Sequence, residues 1–205
     1  MTISRRSFLL GLSAVLAGCS TNAPSSRSDY GARLDEPHPL PAMPLEKVKP
    51  ELRRREVAFE GPYEPGTIVV DTPARRLYFV LGGGRAIRYG IGVGREGYKL
   101  AGNAVVGRKA EWPSWTPTAN MLRRDPDRNR RYARGVEGGL NNPLGARALY
   151  LYRGGRDIMF RIHGTNQPQS IGQAMSSGCI RMLNHDVIDL YNRVSVGTRV
   201  VVIQE

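Results

Sequence analysis

The stretch "GTIVVDTPARRLYFVLGGGRAIRYGIGVG" (66–94) decides the fold class of this chain. It contains three short runs rich in β-branched and aromatic residues, at Thr67–Val70, Arg76–Leu81 and Ala86–Gly92. The turn-forming sequences DTPA and GGG separate these runs. Runs of this composition between turn residues are typical of β-strands. The stretch therefore predicts three consecutive short strands.

The pattern of strands and turns continues towards the C-terminus. Strand and turn structure is predicted for "NAVVGRKAEWPSWTPT" (103–118), and the arginine-rich residues 121–139 predict a loop with a short helical turn. "ARALYLYR" (146–153) and "IMFRIHG" (158–164) predict two strands that pair through GGRD. "GTRVVVI" (197–203) predicts a closing strand. The sum is a mainly β, β-rich α+β domain.

The segment "NHDVIDLYNRV" (184–194) is predicted to be a helix. Its apolar residues recur at helical spacing: Val187, Ile188, Tyr191 and Val194. Asn184 suits the N-cap position. His185 is expected to be an exposed residue at the start of this helix.

The first nineteen residues, "MTISRRSFLLGLSAVLAGC", have the pattern of an export signal. Arg5 and Arg6 precede an apolar run, Phe8–Gly18, that is too short to span a hydrocarbon core of ~30 Å. The paired arginines resemble a twin-arginine signal, although general secretory signals also carry two arginines. LAGC resembles a lipobox in which Cys19 receives a lipid; the alternative is cleavage nearby with Cys19 unmodified. Residues 1–19 are therefore predicted to be a signal peptide.

Residues 20–60 contain six prolines and no sustained periodicity. Proline removes backbone donors and favours extended conformations. This Pro-rich segment predicts a tether between a lipid anchor and a domain that begins near residue 66, with residues 45–60 able to lie against the domain surface.

The composition is strongly basic. Thirty lysines and arginines against 18 aspartates and glutamates give a formal net charge of +12. Such a surface attracts polyanions, including nucleic acid, anionic lipid head groups and acidic polymers of a cell envelope. The sequence lacks the zinc-finger spacing, recognition-helix pattern and aromatic-basic platform of nucleic-acid modules. With the export signal, the charge therefore favours an envelope protein, and no nucleic-acid partner is expected.

Cys179 is one of two cysteines in the chain, and His163 is one of three histidines. If Cys19 is acylated, Cys179 has no intramolecular disulfide partner, and an odd cysteine in an exported protein suggests a reactive thiol or an intermolecular bond. A thiol attacks as the thiolate, and a nearby imidazole can take its proton. A backbone carbonyl such as that of Gly164 could hold the other ring nitrogen of His163.

The sequence SSGC (176–179) predicts a tight turn that presents the cysteine. Gly178 lets the backbone approach a substrate, and successive N–H groups there could stabilise an oxyanion. Arg181 could offer a fork of donors to a substrate carboxylate. From spacing alone, a small buried cysteine is the more common alternative. A zinc site is disfavoured because the histidines and the cysteine lack close-spaced ligand pairs, and no metal or other cofactor is predicted.

"IHGTNQPQSIGQAMSSGCIRM" (162–182) closely resembles the active-site segment of the L,D-transpeptidases of bacterial cell walls, which have a YkuD-type catalytic domain. The family pattern is a His-Gly pair, a loop, and a Ser-(His or Ser)-Gly-Cys turn followed by arginine. The likeness extends to residues 68–80, 110–118, 138–151 and 186–203. It implies a catalytic domain over residues 66–203 with a YkuD-like β-sandwich or barrel and a few short helices.

The resemblance also implies a role for each matching residue. Cys179 would be the nucleophile, and His163 would accept and return a proton. Gly164 would supply the orienting carbonyl, and Ser177 and Gly178 would form the oxyanion region with the cysteine. Many members carry histidine where this chain has Ser177. This departure leaves His163 as the only imidazole of the motif, although Ser177 can still donate a hydrogen bond.

The implied reaction is a double acyl transfer on a peptidoglycan tetrapeptide stem. Cys179 would attack the carbonyl of the third residue, expel the terminal D-alanine and pass the acyl group to an amine, while Arg181 holds a stem carboxylate. An amine of another stem gives a cross-link, an amine of an envelope protein gives attachment, and water gives L,D-carboxypeptidase action. A non-catalytic peptidoglycan-binding lipoprotein is the further alternative.

The implied partners are stem peptides and, through a lipid on Cys19, a membrane. The expected location is the cell envelope or periplasm, and the protein is expected to be a monomer. Trp112 and Trp115 are expected either to border the cleft or to pack in the core.

Overall fold

The computed structural model describes residues 27–94, 100–175 and 179–204. Within these ranges the protein is mainly β-sheet with a few short helices, as predicted. The strands are β1 (Arg55–Ala58), β2 (Ile68–Asp71), β3 (Arg76–Gly82), β4 (Arg85–Gly90), β5 (Gly92–Gly94), β6 (Gly102–Glu111), β7 (Arg147–Arg153), β8 (Arg156–His163), β9 (Ala174–Met175), β10 (Ile180–Arg181) and β11 (Arg199–Ile203). The α-helices are α1 (Ala119–Arg124), α2 (Pro126–Asn129) and α3 (Asn184–Arg193). None of these helices has the length and apolar character needed to cross a bilayer.

The strands of the described residues form one sheet in the order β1-β4-β3-β2-β11-β6-β7-β8-β10-β5-β9. In this order β4 is second from one edge and β5 is second from the other, yet only Ile91 separates them along the chain. The two ends of the sheet must therefore lie next to each other. The sheet curls back on itself, in agreement with the predicted sandwich or barrel.

The hairpin that leads to His163 is the one predicted from GGRD. β7 and β8 pair antiparallel, and Ala148 lies opposite His163. Gly154 and Gly155 form the turn with φ values of 56° and 76°. Positive φ at both central residues is what a tight two-residue hairpin requires, and glycine adopts it without steric cost.

Aliphatic side chains fill the inside of the curled sheet. The largest cluster includes Ile68, Val70, Leu77, Ile91, Val106, Leu149, Leu151, Ile162 and Ile180. The first five residues of β7 are all buried, so both faces of this strand are covered. Helix α3 packs against β7 and contributes Val187 and Leu190 to the same core. The strand beside the motif is therefore packed into the core on both of its faces.

The structure packs residues 29–58 against the domain. The prediction of a tether is therefore wrong for residues 29–44, whereas residues 45–58 lie against the domain surface as the sequence allowed. The apolar side chains of this segment are buried: Tyr30, Leu40, Val48 and Leu52. β1 also adds a strand to the edge of the sheet by pairing with β4. The prolines leave fewer backbone donors to satisfy, and the scattered apolar side chains gain enough from burial to hold the segment in place.

A buried ion cluster fastens this segment to α3. Arg54 is 7% exposed, and its guanidinium lies 3.1 Å from carboxylate oxygens of both Asp29 and Asp189. Asp186 is fully buried beside the cluster. Desolvation raises the pKa of Asp186 to about 7, although the Arg54 cation opposes this shift. The cluster therefore holds a carboxyl group that resists ionisation.

The prediction that His185 is an exposed helix end is also wrong. His185 is fully buried, and its Nε2–H donates to the carbonyl of Gly31 at 2.9 Å. The ring of Tyr30 lies 5.9 Å from the His185 ring. The N-terminal segment covers this end of α3. The helical pattern of residues 184–194 could not indicate this contact, because the covering residues lie far away in the sequence.

We expect Asp186→Asn to stabilise the fold at neutral pH. In the folded protein the carboxyl keeps its proton up to about pH 7, whereas in the unfolded chain it loses the proton near pH ~4. Its contribution to stability is therefore fully present below pH ~4 and is lost as the pH rises through 7. Arg54 keeps Asp29 and Asp189 as partners in the variant.

The measurement is urea unfolding of wild type and variant at several pH values. The gain in unfolding free energy should grow between pH ~4 and ~7 and reach about 2 kcal/mol or more. Asp127→Asn, at an exposed helix position, should show no such growth. An Asp186→Asn protein that is less stable than wild type above pH 7 would contradict the prediction.

Candidate active site

His163 and Arg181 lie side by side on two parallel strands. β8 ends at His163, β10 ends at Arg181, and the register pairs these two residues directly. Both side chains are buried, with 4% and 8% exposure. β7 borders His163 on its other side through Ala148. The imidazole is therefore held between two strands and next to a guanidinium.

Cys179 directly precedes β10, and its side chain is a half-buried thiol rather than half of a disulfide. Its carbonyl accepts a hydrogen bond from the N–H of Gly94 at 2.9 Å. Alternate residues along a strand share a face. When the register is extended by one residue, Cys179 therefore shares the face of Arg181 and His163. The fold brings thiol and imidazole to one face of the sheet.

A bulge in β8 places a carbonyl oxygen beside the thiol. The register between β7 and β8 shifts at Tyr150–Tyr152, opposite Met159. Met159 has a φ of 62°, a left-handed conformation that residues other than glycine rarely adopt. The side chain of Asp157 supports it by accepting from the Met159 N–H at 2.7 Å. The thiol of Cys179 donates to the carbonyl oxygen of Met159 at 3.8 Å. No motif in the sequence indicates this contact.

The His163 ring makes the hydrogen bond that the sequence predicted. Its Nδ1 lies 2.7 Å from the carbonyl oxygen of Gly164. A carbonyl can only accept, so Nδ1 carries the hydrogen. Burial, and secondly the Arg181 cation, lower the pKa of His163 to about 3. At physiological pH the ring is therefore neutral, and its Nε2 keeps a lone pair that can take a proton.

Asn184 holds the loop that follows β8. The sequence assigned it the N-cap of α3, but the N-cap is Leu183. The Oδ1 of Asn184 instead accepts hydrogen bonds from the N–H groups of Ala146 at 3.0 Å and Thr165 at 3.1 Å. A Cβ at Gly164 would collide with this oxygen. The orienting carbonyl thus lies in a loop that requires glycine there and is held by an amide from α3.

We expect Asn184→Ala to lower the free energy of unfolding by about 2–4 kcal/mol. The change leaves the two buried N–H groups of Ala146 and Thr165 without an acceptor, and each such loss costs about 1–3 kcal/mol. Urea unfolding measures the effect. Asn192→Ala, at an exposed position of the same helix, should change stability by less than ~0.5 kcal/mol. Equal stability of the two variants would refute the bridging role of Asn184.

A cleft of about 430 Å³, including the part open to solvent, lies beside Arg181. Its walls include Trp115, Arg131, Tyr132, Thr165, Gln167 and Arg181. The two tryptophans were expected either to border the cleft or to pack in the core, and each alternative holds for one of them. Trp115 lines the cleft, whereas Trp112 is 8% exposed and packs in a core cluster.

Three predicted site residues lie outside the described residues: Ser177, Gly178 and Cys19. Among the side chains that the structure describes, no group of three or more histidines, cysteines or carboxylates is placed to hold a metal ion. Sequence reasoning missed the contacts of Asn184 and Met159 and the place of Arg131 in the cleft wall, because none of these residues lies in a recognisable motif.

The neutral imidazole, the thiol on the same face and the neighbouring arginine belong to one continuous motif. The family model described as YkuD, the L,D-transpeptidase catalytic domain, matches residues 65–202. The chain belongs to the L,D-transpeptidase family. The YkuD domain thus accounts for the whole curled sheet from β2 nearly to the end of β11, while β1 and the docked segment before it lie outside the match.

Curated relatives of this L,D-transpeptidase domain include two proteins of Escherichia coli K12, the probable L,D-transpeptidases ErfK/SrfK and YbiS. Each is 38% identical over 141 residues, which is 67% of this chain and 44% of the relative. The chain therefore spans less than half the length of these relatives. A crystal structure from Brucella melitensis, described as a probable carnitine operon oxidoreductase, is 49% identical with a TM-score of 0.52. The match covers 78% of this chain and 98% of the Brucella chain, and the two proteins are similar in sequence and in fold.

Proposed function

We propose that this L,D-transpeptidase family member is a peptidoglycan L,D-transpeptidase with Cys179 as nucleophile and His163 as general base. The observation that carries the proposal is the state of His163, which is neutral, buried and fixed by the Gly164 carbonyl as the Nδ1–H tautomer. That tautomer directs a basic Nε2 away from the loop. The thiol lies on the same face of the sheet.

In the first half-reaction, Nε2 of His163 takes the thiol proton as the Cys179 sulfur attacks the carbonyl carbon of the third stem residue. The tetrahedral intermediate carries its negative charge on oxygen, and the sequence of Ser177 and Gly178 predicts the backbone N–H donors that would stabilise it. The C–N bond to D-alanine then breaks. His163 returns the proton to the leaving amine, and a thioester on Cys179 remains.

In the second half-reaction, an acceptor amine attacks the thioester carbon and gives up a proton to His163. The C–S bond breaks, and the thiolate regains that proton. The products are a new amide bond and the starting enzyme. The bonds and protons of both half-reactions balance without an oxidant, a metal or another cofactor.

Arg181 links substrate binding to this chemistry. Its cation is the second cause, after burial, of the low pKa of His163. A stem carboxylate bound to Arg181 would offset this charge and make a protonated imidazole less costly during the reaction. The base would thus become fully effective when the donor stem is in place.

The envelope location and the membrane anchor belong to the same proposal. They rest on the signal pattern of residues 1–19, on the lipobox cysteine Cys19 and on the basic composition of the chain. Stem peptides and lipid head groups both carry negative charge, so a basic domain would be retained near either of them.

The test is product analysis by mass spectrometry after purified protein is incubated with disaccharide-tetrapeptide. We expect free D-alanine and a cross-linked dimer joined through third residues. D-alanine with tripeptide alone would indicate a carboxypeptidase. Binding without release of D-alanine would refute the proposal and favour a binding lipoprotein.

A further inference from the structure

We infer that Arg131 is a specificity-determining residue that binds a second carboxylate of the donor stem. The cleft would then prefer a stem whose third residue carries a side-chain carboxylate beside its amine. This inference rests on the proposed function and deepens it, because it names the stem chemistry that the site selects. Arg181 binds one carboxylate next to His163, and Arg131, which lines the same cleft, binds the other.

Arg131 belongs to a segment that lines the cleft, residues 115–136, which we call the arch because its two ends are joined at a base. At the base, Trp115 and Val136 exchange two backbone hydrogen bonds, of 2.9 Å and 2.7 Å. Inside the arch the buried amide of Asn129 donates to the carbonyls of Met121 at 3.0 Å and Asp125 at 2.8 Å. These bonds hold the short helices α1 and α2 in one arrangement. Arg131, in the turn that follows, therefore has a defined place in the cleft wall.

Aromatic rings support the Arg131 side chain at the cleft wall. Its guanidinium carbon lies 4.6 Å from the centroid of the Tyr132 ring. The Tyr132 ring in turn meets the Trp115 ring edge to face, at 5.6 Å between centroids. All three residues line the cleft. Such stacking limits the freedom of a long side chain and reduces the entropy that binding would otherwise cost.

The charges of the cleft favour a ligand with two anionic groups. Arg131 and Arg181 both line it, and no aspartate or glutamate is among its lining residues. Within the described residues, Arg131 forms no ion pair with a carboxylate. Two cations facing one small space repel each other unless anions lie between them. A guanidinium also matches a carboxylate in planar, bidentate geometry.

The chemistry of the stem identifies the second carboxylate. Every tetrapeptide donor ends in the carboxylate of D-alanine, one residue from the bond that is cleaved. A third residue such as diaminopimelate adds a carboxylate on its side chain, whereas lysine adds none. The other stem carboxylates are common to both kinds of donor. The side chain of the third residue is therefore the group by which a second arginine can discriminate.

The experiment compares two disaccharide-tetrapeptides that differ in one group. One has diaminopimelate as third residue, and the other has the same residue with its side-chain carboxylate converted to an amide. For the wild-type protein we expect kcat/KM for D-alanine release to be about tenfold or more higher with the free carboxylate. Arg131→Gln should bring this ratio close to one, because kcat/KM should fall much more for the stem with the free carboxylate than for the amidated stem.

Arg130→Gln is the matched control. Arg130 lies in the same turn, is exposed and does not line the cleft, so its loss should leave the ratio unchanged. A wild-type ratio near one, or a ratio that survives Arg131→Gln, would overturn the inference. If neither stem releases D-alanine, the proposed function fails instead. Calorimetric titration of the same two stems into the same three proteins then decides the inference through the ratio of dissociation constants.

Discussion

Cys179→Ala is expected to abolish acyl transfer, with a fall in kcat of roughly 10³–10⁶-fold. Alanine has no atom that can form the thioester, so neither D-alanine release nor dimer formation can proceed through a covalent intermediate. The same change should prevent acylation by a carbapenem, whose strained lactam carbonyl reacts with a thiolate. Intact mass spectrometry should show the wild-type protein with the mass of the antibiotic added and the variant with no added mass.

Folding and binding provide the controls for this variant. Cys179 is half-buried, and alanine is only one atom smaller, so the unfolding free energy should change by no more than ~1 kcal/mol. The variant should still bind a stem peptide, because Arg181 and the cleft are intact. Release of D-alanine at the wild-type rate by the variant would sink the assignment of Cys179 as nucleophile.

His163→Asn is expected to reduce kcat/KM by about 10²–10⁴-fold. The asparagine amide can still donate to the carbonyl of Gly164 in place of Nδ1–H. It has no group at the position of Nε2, so the thiol proton has no acceptor and the leaving amine has no donor. The local structure is thereby largely preserved while the base is removed. His38→Asn, which removes an imidazole outside the motif, should retain wild-type activity.

The same assignment predicts how His163 responds to pH. Its pKa of about 3 means that the ring stays neutral throughout the range in which an ordinary histidine, with a pKa of about 6.5, would change charge. The ring-proton resonances of His163 should therefore stay constant from pH ~8 to ~5 in NMR spectra. A titration midpoint near pH ~6.5 would contradict a buried neutral base.

Local patterns were sufficient for much of the fold and for the core of the site. Alternating and β-branched runs predicted β2, β3, the hairpin of β7 and β8, and the closing strand β11, because side-chain periodicity and turn residues act over a few positions. The helical spacing of Val187, Ile188 and Tyr191 predicted α3. The hydrogen bond from His163 to the Gly164 carbonyl was predictable because it joins adjacent residues.

The errors arose where distant segments meet. The proline-rich segment suggested a tether, but Tyr30 and Leu40 bury their side chains against the domain, and Arg54 joins Asp29 to Asp189 of α3. His185 was predicted to be exposed because the first turn of a helix is normally solvated. In the folded protein the same N-terminal segment covers it. Burial is a property of the assembled surfaces, and a single helix or loop carries no signal of what will cover it.

By itself, then, the sequence determined the chemical identity of the groups that the proposed reaction uses, a thiol and an imidazole in one motif. It also determined the local strands that carry them. Only the tertiary structure decided how these groups are tuned and what surrounds them. It buried His163 beside Arg181, brought Asn184 to the loop after β8, and placed Arg131 and Arg181 in the walls of one cleft. The reason is physical. Strand and turn preferences depend on neighbouring residues, whereas desolvation, charge proximity and hydrogen bonding across the fold depend on residues that only chain folding makes neighbours.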